Sequence, residues 1–99
     1  MPKRLILVTT DWAPFSGKLR RICEEEAGKA RVEFEVRKDD WTFLSKYGEK
    51  DELGGTDVPQ VFVEEEGRIT HVLTKVPLDE RGRPDFEEAR RRIAGALSA

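Results

Sequence analysis

The sequence predicts an α/β fold in which a four-stranded mixed sheet carries helices on both faces, with elements in the order βαβαββα. Three observations predict it. An unbroken apolar run at residues 5–8 is followed, after a short turn, by a segment of helical periodicity. A strictly alternating segment follows at residues 31–37. Two β-branched runs separated by Glu66-Gly67 then form a hairpin ahead of a last amphipathic helix. Two strands joined by a helix pair in parallel through a right-handed crossover, and the hairpin adds antiparallel strands.

Taken in order, Leu5-Ile6-Leu7-Val8-Thr9 reads as a central strand, because it lacks the alternation of a strand with one wet face. A helix opens at about Pro14, with Phe15, Leu19, Ile22, Cys23 and Ala27 facing inward and Gly28 as its stop. Residues 31–37 place Val32, Phe34 and Val36 on one face and Arg31, Glu33, Glu35 and Arg37 on the other. Charges of that kind guard a sheet edge. Asp39 or Asp40 caps a short helix, Trp41 to Tyr47, with Trp41, Leu44 and Tyr47 or Phe43 inward and Gly48 as its stop. A loop over residues 49–57 leads to Val58-Pro59 and the strand Gln60-Val61-Phe62-Val63. Pro59 lacks an N–H and so stands at the beginning of that strand. Its hairpin partner spans residues 69–74. Asp85 caps the last helix, Glu88 completes a capping box, and Phe86, Ala89, Ile93 and Leu97 form the buried stripe. Residues 1–99 read as a single domain without repeat or linker.

Composition narrows the function. Charged residues make up 38% of the chain, both signs are interspersed, and the net charge is -2. The basic run Arg90-Arg91-Arg92 is too short a footprint for nucleic acid, and acidic membranes are disfavoured on the same ground. The N-terminus lacks the apolar stretch of a signal peptide, which points to a cytoplasmic protein. One cysteine excludes an internal disulfide. The excess of Glu, Arg and Lys fits a thermophile, and a monomer is the default for this size.

The residues best placed for chemistry lie in the turn from Asp11 to Lys18. A strand-to-helix turn aims unpaired N–H groups and the positive end of the helix dipole at its first residues. Yet Ala13 and Ser16, which occupy that place, carry no readily ionised group. Beside them, Trp12 and Pro14 offer an apolar platform for an extended peptide, while Phe15 is expected to turn inward. Asp11 and Asp57 are expected to set two carboxylates near the same surface, where they raise the pKa of a thiol.

The turn Trp12-Ala13-Pro14-Phe15-Ser16 and the segment Thr56-Asp57-Val58-Pro59-Gln60-Val61-Phe62-Val63 resemble the two signatures of thioredoxin-fold proteins, glutaredoxins in particular. The resemblance covers nearly the whole chain. In that family the first signature is Cys-Pro-Tyr/Phe-Cys, often preceded by Trp in thioredoxins, and the second is a Thr-Val-Pro with a cis proline bond. The resemblance implies that Ala13 and Ser16 stand at the positions of the nucleophilic and resolving cysteines. It also implies that Pro59 is cis beside the turn and that the Val58 backbone pairs with a bound peptide or glutathione. Trp12, Pro14, Phe15, Val58 and Pro59 then make up the substrate-binding surface, the partner is a disulfide-containing protein or a small thiol such as glutathione, and no cofactor is needed.

The departures are chemical. The family mechanism attacks with a thiolate and resolves with a second thiol, and neither Ala13 nor Ser16 can supply one. The chain as written is therefore expected to be inactive in thiol exchange. Asp57 replaces the usual Thr, and the Gly-Gly-x-Asp segment that glutaredoxins use for the glutathione γ-glutamyl group is missing after the last strand. Two explanations stand side by side: a cysteine-substituted form of a disulfide oxidoreductase, or a natural member that lost its dithiol and serves as a protein-binding module.

The remaining candidates read as structural. Cys23 lies on the helix about 10 Å beyond Ser16 along its axis, too far to replace the missing partner, and among Leu19 and Ile22 it reads as an inert core residue. His71 is expected to face solvent on an edge strand. One His and one Cys at distant positions offer no metal site. Trp41 and Tyr47 read as packing.

Overall fold

The computed structural model describes residues 3–99. Its elements are β1 (Lys3–Thr9), α1 (Ser16–Ala30), β2 (Glu33–Lys38), α2 (Trp41–Tyr47), β3 (Gln60–Glu65), β4 (Arg68–Thr74) and α3 (Phe86–Ser98). The sheet order is β2-β1-β3-β4. Strand β2 runs parallel to β1, while β3 is antiparallel to both β1 and β4. The fold is therefore the α/β arrangement that the sequence predicts, with β1 central and charged β2 at an edge.

Alternation along the strands splits the core into two clusters. On one face Leu5, Leu7, Val61, Val63 and Leu73 pack against Leu19, Ile22 and Cys23 of α1 and against Ala89, Ile93 and Leu97 of α3. On the other, Ile6, Val8 and Phe62 meet Phe43 and Leu44 of α2, joined by Ala13 and Val58. The second cluster is smaller because α2 has only two turns. Beyond its reach, the same face ends in an ion network in which Arg4 contacts Glu33, Glu35 and Glu64 at 3.2–3.5 Å.

Several element ends differ from expectation, each for a local reason. Helix α1 starts at Ser16 rather than Pro14, because Phe15 takes a left-handed backbone at φ 57°, ψ 20°. It also runs past Gly28 to Ala30. There Arg31, at φ 59°, donates to the Gly28 carbonyl while Val32 donates to that of Ala27, a Schellman closure with arginine where glycine is usual. Trp41 and Tyr47 are exposed rather than inward, since two turns of helix bury one side only, and Phe43 and Leu44 fill it. Asp85 accepts from the Glu88 N–H at 3.0 Å, but the return arm of the capping box is absent: the Glu88 carboxylate is taken by Arg91 and Arg92. His71 is half-buried rather than solvent-facing; its ring lies 5.6 Å from Phe62, and Nε2 is 2.7 Å from the Thr74 hydroxyl. The Glu66-Gly67 turn has positive φ at both residues, as a tight hairpin requires.

Candidate functional site

Strand register brings the candidate segments together. Thr9 pairs with Lys38, Val8 with Gln60, and Gln60 with Thr74. The end of β1, the end of β2, the start of β3 and the end of β4 therefore share one end of the sheet. The turn at residues 10–15, the start of α2 and the Val58-Pro59 segment all project there.

The turn is built from two successive reversals. Ala13 N–H donates to the Thr10 carbonyl at 3.3 Å, and Ser16 N–H donates to the Ala13 carbonyl at 3.4 Å. This path drives Ala13 inward to 8% exposure, in the cluster that contains Val58. Pro14 stays outside. Phe15 is the exception to the expected inward stripe: it is 50% exposed, and its ring meets Phe86 edge-on at 5.7 Å. A left-handed non-glycine residue carries strain of about 1–3 kcal/mol. An aromatic pair returns about 0.5–1.5 kcal/mol, so the Phe86 contact offsets part of that strain. Lys18 Nζ sits 4.2 Å from the Phe86 ring centre, completing a small stack on this flank.

On the opposite flank Trp12, 70% exposed, stacks on Trp41 with ring centres 6.4 Å apart and planes 19° from parallel. Trp41 does serve packing, as the sequence implies, but its partner is the turn itself. The Val58–Pro59 peptide bond is cis, and both residues are buried. The Pro59 carbonyl accepts from Lys75 N–H at 2.7 Å, whereas no hydrogen bond among the described residues engages the Val58 N–H or C=O.

Electrostatics at the turn are balanced rather than acidic. Asp11 pairs with Lys38 at 2.5 Å and Asp57 with Lys75 at 3.3 Å, so the two expected carboxylates are present but each has a cation. The Asp11 hydrogen bond in turn pushes the Lys38 ammonium above its usual range. These pairs are exposed and screened by solvent, so each contributes little to stability. Their effect is to cancel charge beside position 13.

Ser16 begins α1 and is half-buried, with its hydroxyl 2.6 Å from that of Thr9. Thr9 escaped the sequence reading. The available signal was a polar residue ending an apolar strand seven positions before Ser16. The Thr10 hydroxyl is buried and has no hydrogen-bond partner among the described residues. Cys23 is fully buried on the α1 face of the sheet, and burial, with Glu24 adding, pushes its thiol up to about 12. No group of three or more potential metal ligands occurs among the described residues.

No protein-family model matches the chain, and no curated protein sequence does either. Among solved structures it is similar to human ERp44 in a zinc-bound form, at 17% identity and a TM-score of 0.55 over 96% of this chain and 26% of that one. It also matches maleylacetoacetate isomerase from Anaeromyxobacter dehalogenans 2CP-1 with bound dicarboxyethyl glutathione and citrate, at 19% identity over 83% of this chain and 44% of that one. The TM-score there is 0.40. The chain thus spans about a quarter of the ERp44 length and less than half of the isomerase. Element order, sheet order and the ERp44 match agree: the chain has a thioredoxin-like fold.

Proposed function

We propose that the chain is a glutaredoxin/thioredoxin-like thiol–disulfide oxidoreductase scaffold, one domain over residues 1–99, that is silent in exchange because its two reacting positions hold Ala13 and Ser16. One juxtaposition carries the reading. Position 13 is buried in the cluster that holds Val58, just ahead of α1, and among the described residues the Val58 backbone beside it is unengaged.

With sulfur at both positions the chemistry follows. A thiolate at 13 attacks one sulfur of a disulfide and expels the other as a thiolate, leaving a mixed disulfide. The second thiolate, at 16, attacks the sulfur at 13, releases the remaining product thiolate and closes a 13–16 disulfide. The partner class is a disulfide-containing protein or a small thiol such as glutathione, bound over Trp12, Pro14, Phe15, Val58 and Pro59. Neither nucleic acid nor membrane takes part, and the chain acts as a cytoplasmic monomer.

The test is the double change Ala13→Cys and Ser16→Cys. With dithiothreitol as reductant, this variant is expected to reduce insulin or a glutathione mixed disulfide, and the unchanged chain is expected to do neither. A folded double variant without exchange activity overturns the proposal.

A further inference from the structure

We infer that Thr9 is the positioning residue for position 16, its hydroxyl holding whichever polar atom stands there against the end of β1. The inference rests on the exchange reading above and adds to it a residue that the two signatures do not contain. The primary observation is the 2.6 Å contact between the Thr9 and Ser16 hydroxyls. A second concerns rigidity. Thr9 is 7% exposed, pairs with Lys38 across the β1–β2 ladder, and its carbonyl accepts from the Asp39 N–H at 2.9 Å. A side chain on so fixed a backbone is already ordered, so little entropy opposes its contact with position 16.

The third observation concerns the proton. The Thr9 hydroxyl has one other acceptor, the Thr10 carbonyl, at a long 3.4 Å. That contact is weak, and the hydroxyl can turn from it to a better acceptor. An ionised sulfur at position 16 accepts only, so Thr9 must donate, and a hydrogen bond to the charged form favours that form. The charged groups around the turn do not duplicate the effect: Asp11 is paired with Lys38, Asp57 with Lys75, and Lys18 lies over the Phe86 ring.

The experiment uses the full chain carrying Ser16→Cys. Its only other thiol, Cys23, is buried with its pKa pushed up to about 12, so iodoacetamide reports on the introduced thiol. The pH–rate profile of alkylation is compared with that after adding Thr9→Val, which replaces the hydroxyl by a methyl of equal size, and after adding Thr9→Ser, which keeps it. Thr9→Val is expected to raise the midpoint by about one pH unit, and Thr9→Ser to leave it in place. Thr9→Ala serves as a second hydroxyl-free variant should valine disturb folding. A midpoint unmoved by loss of the hydroxyl, or moved equally by Thr9→Ser, overturns the inference. The profile needs no disulfide substrate. An inactive exchange assay with a shifted profile therefore overturns the function and keeps the role of Thr9, and the converse pair of results does the reverse.

Discussion

Burial decides what Cys23 can do. The thiol sits at 0% exposure beneath α1, and loss of hydration raises its pKa from an ordinary 9.0 to about 12. A thiol that stays protonated in the fold but ionises at its ordinary value when unfolded contributes stability that is whole below pH 9 and is lost as pH rises toward 12. Between pH 8 and pH 10.5 the native chain is therefore expected to lose about 2 kcal/mol more than Cys23→Ala, read from urea midpoints. This residue was legible in the sequence because its role follows from periodicity alone. Phe15 was not. Helical spacing says which residues share a face, but Phe15 departs from the helix through a left-handed backbone that no pattern of side chains announces. The Thr9–Ser16 contact was hidden likewise, since it depends on the path of the turn between them.

At the scale of the elements, every helix and strand was legible and several of their ends were not. Gly28 marks a plausible stop, yet α1 passes through it, because the chain closes the helix with backbone bonds at residues 31 and 32. The closing residue is arginine at φ 59°, and a Cβ added at Gly28 would meet nothing within 4 Å. Each residue stands where the other is better suited. Gly28→Ala and Arg31→Gly are each expected to stabilise the chain by about 0.5–1 kcal/mol, raising the thermal midpoint by several degrees. Differential scanning calorimetry of the two single variants and the double variant checks this. The capping box shows the same limit: Asp85 and Glu88 have the right spacing, but Arg91 and Arg92 outcompete the backbone for the Glu88 carboxylate.

Across the whole molecule, most ion pairs are exposed and contribute little individually, so stability rests on the two apolar clusters. Glu26 is an exception. It is buried between α1 and α3, where Arg90 holds it at 2.7 Å and Lys29 at 3.2 Å. Burial alone pushes its carboxyl up, and the hydrogen bonds from Arg90 and Lys29 more than reverse this, leaving it below the ordinary range. Asp40 is lowered too, by the Phe43 N–H and then by Arg37. A carboxyl lowered by folding contributes stability that is whole above its unfolded pKa and is lost as pH falls through the folded one. The urea midpoint is expected to decline as pH drops from about 5 through 4.5 and below. Arg90→Met should lower the urea midpoint at pH 7 and flatten that decline, because Glu26 then loses its main partner. An equally steep decline in the variant would assign the acid sensitivity to other groups.

The chain holds two tryptophans, and both belong to the Trp12–Trp41 stack at the candidate site. Its tryptophan emission therefore originates wholly from that spot, and the apolar core contributes nothing to it. A peptide laid on the turn, or a movement of α2 away from it, changes the emission with no label attached, and Trp41→Phe separates the signal of Trp12 from that of its neighbour. The protein carries its own optical gauge, mounted where the chemistry would take place.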